Sequence, residues 1–146
     1  MADAQEWTRR RREAAEEQAD RLARRRAAES ARAGEMIQDF AREAQARGIT
    51  AGPLLARAGD GKPTYRTGLT GWYLSRDGSL GVTTDGDYYH LAARRSLNAR
   101  LFGVHLDPVK PPLQVGAGAR DGESVALDVL LAMRLEAGND WPIHGL

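Results

Sequence analysis

The sequence predicts an α+β protein: a long N-terminal helix, an antiparallel β-meander of about five strands, and a C-terminal helix packed on the sheet. Three observations carry this. Ala4 to Arg47 is composed almost wholly of strong helix formers and is closed by Gly48 and Pro53. Two Asp-Gly pairs, Asp77-Gly78 and Asp85-Gly86, separate short runs in which apolar and polar residues alternate. A dense apolar segment, Val125 to Leu135, follows a glycine-rich stretch near the C-terminus.

The first helix is laced with acid-first i,i+4 pairs, Glu17/Arg21, Asp20/Arg24 and Glu43/Arg47, each contributing ~0.2–0.5 kcal/mol. Its character changes partway. Between Thr8 and Arg32 the sole large apolar side chain is Leu22, beside an alanine stripe at Ala15, Ala19, Ala23, Ala27 and Ala31. From Ala33 onward, Met36, Ile37, Phe40 and Ala44 share one face. Residues 1–32 are therefore expected to project as a charged helix. Residues 33–47 are expected to dock on a compact domain spanning 33–146, with Gly34 as a joint between the two parts.

Ile49 to Gly71 is rich in Gly, Pro and Thr and reads as irregular, with a helical turn at Leu54-Leu55 and a loop at Gly59–Pro63. The two Asp-Gly pairs read as type I′ hairpins joining Gly71–Ser75, Ser79–Thr84 and Asp87–Ala93. Trp72, Leu74, Leu80, Val82, Tyr89 and Leu91 then line one face. A fourth strand is expected at Leu101–Asp107, where Phe102, Val104 and Leu106 alternate, and a fifth at Leu113–Val115, so that the sheet occupies 71–115. Asp121 is placed to cap a core helix over 123–137, which Gly138 ends. The tail from Asn139, with Trp141-Pro142, either folds back or serves as a peptide ligand.

Composition excludes several classes of function. The net charge is +1, and Arg47 divides the chain into segments with 11 and 10 basic residues and 10 acids each, so neither half is a basic domain. There is no cysteine, hence no disulfide, thiol nucleophile or thiolate-bound metal. Met1–Asp20 lacks the apolar core of a secretory signal, and no apolar run approaches the ~20 residues of a membrane span. Cytoplasmic residence without membrane contact is the resulting expectation.

The chemistry-bearing constellations are sparse. Arg9, Arg10, Arg11 and Arg12, with Arg24, Arg25 and Arg26, suit phosphate by guanidinium geometry, but Glu13, Glu16, Glu17 and Asp20 stand one turn away. Asp85, Asp87 and His90 resemble metal ligands by type, though Asp85 belongs to the turn and the other two point to opposite faces. Gly116-Ala117-Gly118 with Gly122 lacks the lysine and hydroxyl of a phosphate-binding loop. His90, His105 and the serines show no nucleophile motif, and Pro108–Pro111 reads as a connector as readily as a PxxP ligand. Tyr73 and Tyr88 fall opposite Trp72 beside Arg94 and Arg95; they form a recognition surface unless the Met36–Phe40 face covers them.

These readings converge on a non-catalytic protein-interaction module, without cofactor or metal. Its expected contact residues are Arg9–Arg12, Leu22, Arg24–Arg26, Tyr73, Tyr88, Arg94 and Arg95, and its partner is a protein. The alternative is RNA or DNA binding through the same arginines together with Arg100.

Overall fold

The computed structural model describes residues 2–59, 63–116 and 124–143. It is α+β: a long N-terminal helix, a five-stranded mixed sheet that is mostly antiparallel, and a C-terminal helix. The glycine-rich loop after Gly116, its proposed cap Asp121, the helix start at 123, and the centre of the Gly59–Pro63 loop lie outside the described residues.

Helix α1 runs unbroken over Ala2–Ala46, so Gly34 is not a joint. It ends at Gly48, whose φ of +70° lets the Ile49 N–H reach back to the Ala44 carbonyl at 2.9 Å. The side chains buried along α1 are Ala33, Ile37, Phe40, Ala41 and Ala44. The spacing of three and four residues is that of one helix face. That face meets Trp72, whose ring stands edge-on to Phe40 at 5.9 Å and whose indole N–H donates to the Ile49 carbonyl at 3.0 Å.

Ile49–Gly71 is not irregular, nor does it hold a helical turn at Leu54-Leu55. It contributes β1, Gly52–Ala58, and most of β2, Thr64–Tyr73. Leu54, Ala56 and Ala58 are buried at alternate positions, the period of a strand. Between Leu54/Leu69 and Leu55/Arg66 the register jumps, leaving Thr67 and Gly68 as a bulge in β2. Gly68 takes φ +75° there, and the Thr67 hydroxyl donates to the Leu54 carbonyl at 2.5 Å. A bulge of this kind bends its strand.

Strands β3 (Leu80–Thr83) and β4 (Tyr88–His90) complete the meander. A two-residue strand, β5 (Ala92–Ala93), follows β4 after Leu91 alone, yet it pairs in parallel with β1 at the opposite edge. The sheet order is β4-β3-β2-β1-β5. One short run of chain therefore supplies both edges, and the sheet curls until it closes. Leu91 makes the seam: its N–H donates to Ser79 (2.8 Å) and its carbonyl accepts from Arg57 (3.0 Å). Leu54, Tyr89 and Leu91 form a small cluster inside the curl, with Leu69, Tyr73 and Leu106. Gly81 faces it too, where a Cβ would lie 2.9 Å from Leu91.

The outer face carries Trp72, Leu80, Val82 and Tyr88, which join α1 and the C-terminal helix in the main core. This corrects the facing of β4. Val82 pairs with Tyr88, not Tyr89, so Tyr88 lies with Trp72 while Tyr89 and Leu91 turn inward. The reason is the turn. Thr83 pairs with Asp87 across a three-residue loop, Thr84–Gly86, in which Gly86 alone has positive φ (+85°). A type I′ turn has two loop residues, and a change of one residue exchanges the two faces.

Leu101–Asp107 is not a strand. Leu97–Phe102 forms a short helix, α2, and the chain then crosses the curl without regular structure as far as Gln114. The expected strand at Leu113–Val115 appears as β6, Gln114–Gly116, but it pairs with β7, Ser124–Ala126, outside the main sheet. The last helix, α3, accordingly starts at Leu127 and ends at Ala137. Leu127, Leu130 and Leu131 enter the core against α1 and the sheet.

Arg134, also buried, donates to the Tyr73 carbonyl (2.8 Å) and the Gly138 carbonyl (2.6 Å). Burial pulls its pKa down from the ordinary arginine value. Trp141 in the tail packs on the main core beneath the Arg76 and Arg134 guanidinium groups, at 5.1 and 5.5 Å from its ring, so this part of the tail folds back.

Candidate functional site

Two surfaces stand apart from this packed body. The first is the front of α1. From Ala2 to Arg32 not one side chain is buried. Leu22 is 44% exposed and Trp7 60%, and the alanine stripe is exposed along its length. Arg9–Arg12 and Arg24–Arg26 all lie on this segment. Two of the first cluster are engaged locally: Arg10 donates to Glu6 at 2.9 Å, and Arg11 lies over the Trp7 ring at 4.6 Å.

The second surface is α2, built where the chain leaves β5. Ser96 caps its first turn, its hydroxyl accepting from the Ala99 N–H at 3.2 Å. The Ser96 N–H in turn donates to the Tyr65 hydroxyl at 3.0 Å. At the other end Gly103, at φ +79°, sends its N–H to the Ala99 carbonyl (2.8 Å), and Arg66 donates to the Leu101 carbonyl (3.1 Å). Both ends are thus tied to β2. Ala99 alone is buried, against Ala58 and Tyr65.

Alongside the polar Asn98 and Arg100, α2 exposes three large apolar side chains: Leu97, Leu101 and Phe102 are 72%, 58% and 78% exposed. Arg94, Arg95 and Arg100 flank them and are exposed as well, as is Arg66. Between Leu97 and the hairpin side lies an open cleft of about 540 Å³, lined by Pro63, Tyr65, Arg95, Ser96, Leu97 and Arg100.

Tyr73 and Tyr88, expected together on one exposed face, are separated. Tyr88 is buried under α1 and α3, and burial pushes its phenol up to about 12. Tyr73 turns to the other face, where its hydroxyl accepts from the Leu55 N–H at 2.9 Å. Both hold structure together. Arg94 and Arg95 are instead brought beside Leu97 and Arg100. Sequence reasoning missed Leu97, Leu101 and Phe102, although Ser96 as a cap and Gly103 as a stop mark a short helix between them.

Among the described residues, no three or more His, Asp or Glu side chains are grouped as a metal ion would require. No helix among them is long and apolar enough to cross a membrane. The His105–Asp107 contact at 3.1 Å is wholly on the surface. Comparison with family models, with curated proteins and with solved structures finds no match to this chain.

Proposed function

We propose that this chain is a non-catalytic cytoplasmic interaction module, an adaptor or assembly factor, whose α1 arm engages a protein partner. One observation carries the reading. A helix of 45 residues buries side chains from Ala33 onward and none before it. Thirty-one residues at ~1.5 Å each extend about 45 Å beyond the docked turn. A charged helix of that length, without an apolar face of its own, gains nothing for the stability of the body, and isolated helices are marginal in water. A partner that lies along the alanine stripe supplies what the body does not, since small side chains permit close helix–helix approach. The nucleic-acid alternative is less favoured, because Glu13, Glu16, Glu17 and Asp20 stand one turn from the first arginine cluster and offset its charge.

The test is deletion of residues 2–32. The shortened chain should keep the thermal transition of the full chain, because no buried side chain is removed, and should lose the protein captured by the full chain from its native cell. A shortened chain that still captures every partner overturns the reading. Capture that survives protease but not nuclease treatment of the extract moves it to nucleic acid.

A further inference from the structure

We propose that α2 is a membrane-surface docking element: Leu97, Leu101 and Phe102 enter the interfacial layer of an anionic bilayer, while Arg66, Arg94 and Arg100 meet its phosphate groups. This goes beyond the α1 reading and does not depend on it.

The first ground is that three large apolar side chains stand out of one six-residue helix at 72%, 58% and 78% exposure. They are not exposed for want of order. Hydrogen bonds from Ser96 to Tyr65, Arg66 to Leu101 and Val104 to Arg66 (2.8 Å) fix the helix at both ends, and Ala99 anchors its middle. The geometry of the helix settles the rest. With Ala99 inward, positions 97 and 101, four apart, share the outward face, and Phe102, at the last position of the helix, is exposed next to Leu101.

The second ground is charge. The whole chain is nearly neutral, but the run from Tyr88 to Leu106, bounded by Asp87 and Asp107, contains three arginines and no acid of its own. Arg66, from β2, sits at the end of α2 and adds a fourth cation. Exposed apolar side chains with exposed arginines beside them in the chain offer the two chemistries an anionic bilayer presents, acyl chain and phosphate. The open cleft that Tyr65, Leu97 and Arg100 line has the volume to admit a headgroup. A second copy of the chain fits poorly on this patch, because a twofold contact would set the same arginines against one another.

Co-flotation of the full chain with vesicles tests the proposal. Phosphatidylcholine vesicles containing phosphatidylglycerol should carry the protein, and pure phosphatidylcholine should not. Binding should weaken as salt is raised. Phe102→Asp should lower partition about tenfold or more. Arg94→Gln and Arg100→Gln should each lower it about fivefold. Val129→Asp, at an exposed position of α3, should leave it unchanged.

The chain has no cysteine, so Phe102→Cys gives a single labelling site for an environment-sensitive dye. Its emission should shift to the blue with the anionic vesicles and not with soluble glycerophosphate. The proposal is overturned by a chain that never floats, or by Phe102→Asp floating as well as the parent, which assigns the binding to the α1 arginines. A dye shift that follows protein concentration without lipid assigns the patch to a second copy. One that appears only with a lipid-free protein fraction assigns it to a protein partner. Either of these also overturns it.

Discussion

One oxygen of Asp77 accepts three hydrogen bonds: from the Ser75 hydroxyl (2.7 Å), the Ser79 hydroxyl (2.6 Å) and the Ser79 N–H (3.0 Å). The loop between β2 and β3 is organised around this carboxylate, and the Leu80 N–H closes it onto the Ser75 hydroxyl at 3.0 Å. Partial burial works against the charged form. The two hydroxyls, the Ser79 N–H and the nearby Arg57 guanidinium together outweigh it and hold the Asp77 pKa below 3.8. A carboxyl whose folded pKa is depressed contributes stability that is complete above its unfolded value and is lost as pH falls through the folded value. Asp77→Ala should therefore cost about 1–3 kcal/mol at neutral pH by stranding its donors. The difference from the parent should shrink as the pH drops well below 3.8. Urea denaturation of both proteins at the two pH values measures it, and a gap that is the same at both would show that the charge is irrelevant.

The turn elements carry more of the architecture than their size suggests. Gly103 ends α2 with φ +79°, and a Cβ there would lie 2.7 Å from the Arg66 carbonyl, a backbone atom that cannot step aside. Gly103→Ala should cost about 1–3 kcal/mol, the range for a non-glycine residue forced into a strained conformation. It should also loosen α2 from β2, seen as faster amide exchange at Val104, whose N–H donates to that same carbonyl.

Elements were legible in the sequence where the signal was local. Docking along Met36–Ala44 followed from spacing within one helix, and the meander from its Asp-Gly turns. The facing of β4 was not legible, because Asp85-Gly86 serves a two-residue and a three-residue loop equally well, and whether Thr84 joins the strand or the loop is decided by its partners. Phe102, Val104 and Leu106 alternate as a strand does, yet the Ser96 cap and the Gly103 stop prevailed over that pattern. β1 was hidden because Pro53-Leu54-Leu55-Ala56 shows no alternation in the letters, only in the burial that β2 and β5 impose on it.

At the scale of the whole molecule, one cluster of apolar side chains joins the long helix to the body, with the Gln45 amide donating to the Thr84 carbonyl beside it. Ile37 and Phe40 sit in the same core as Trp72, Val82 and Leu127, whereas Ala2–Arg32 shares no core with anything. Each fully buried Ile or Phe contributes about 1.5–3 kcal/mol, and the arm contributes none of this. Two regimes of hydrogen exchange should follow. Amides from Ile37 to Ala44 should exchange only with global unfolding, while those from Ala4 to Ser30 should exchange orders of magnitude faster through local fraying. Exchange followed by mass spectrometry distinguishes them, and uniform protection along α1 would mean that the arm is held by contacts of its own.

What the sequence determined by itself was what depends on near neighbours: a helix from Ala4 to Arg47, the point at which it acquires something to bury, the hairpins, and an apolar last helix. Only the tertiary structure decided how the sheet closes, with the residues around Leu91 serving two edges at once, which tyrosine faces the core, and which apolar side chains of α2 stay outside. Those outcomes depend on pairings between residues far apart in the chain, and a shift of one residue in a strand reverses every face, so short-range pattern carries no record of them.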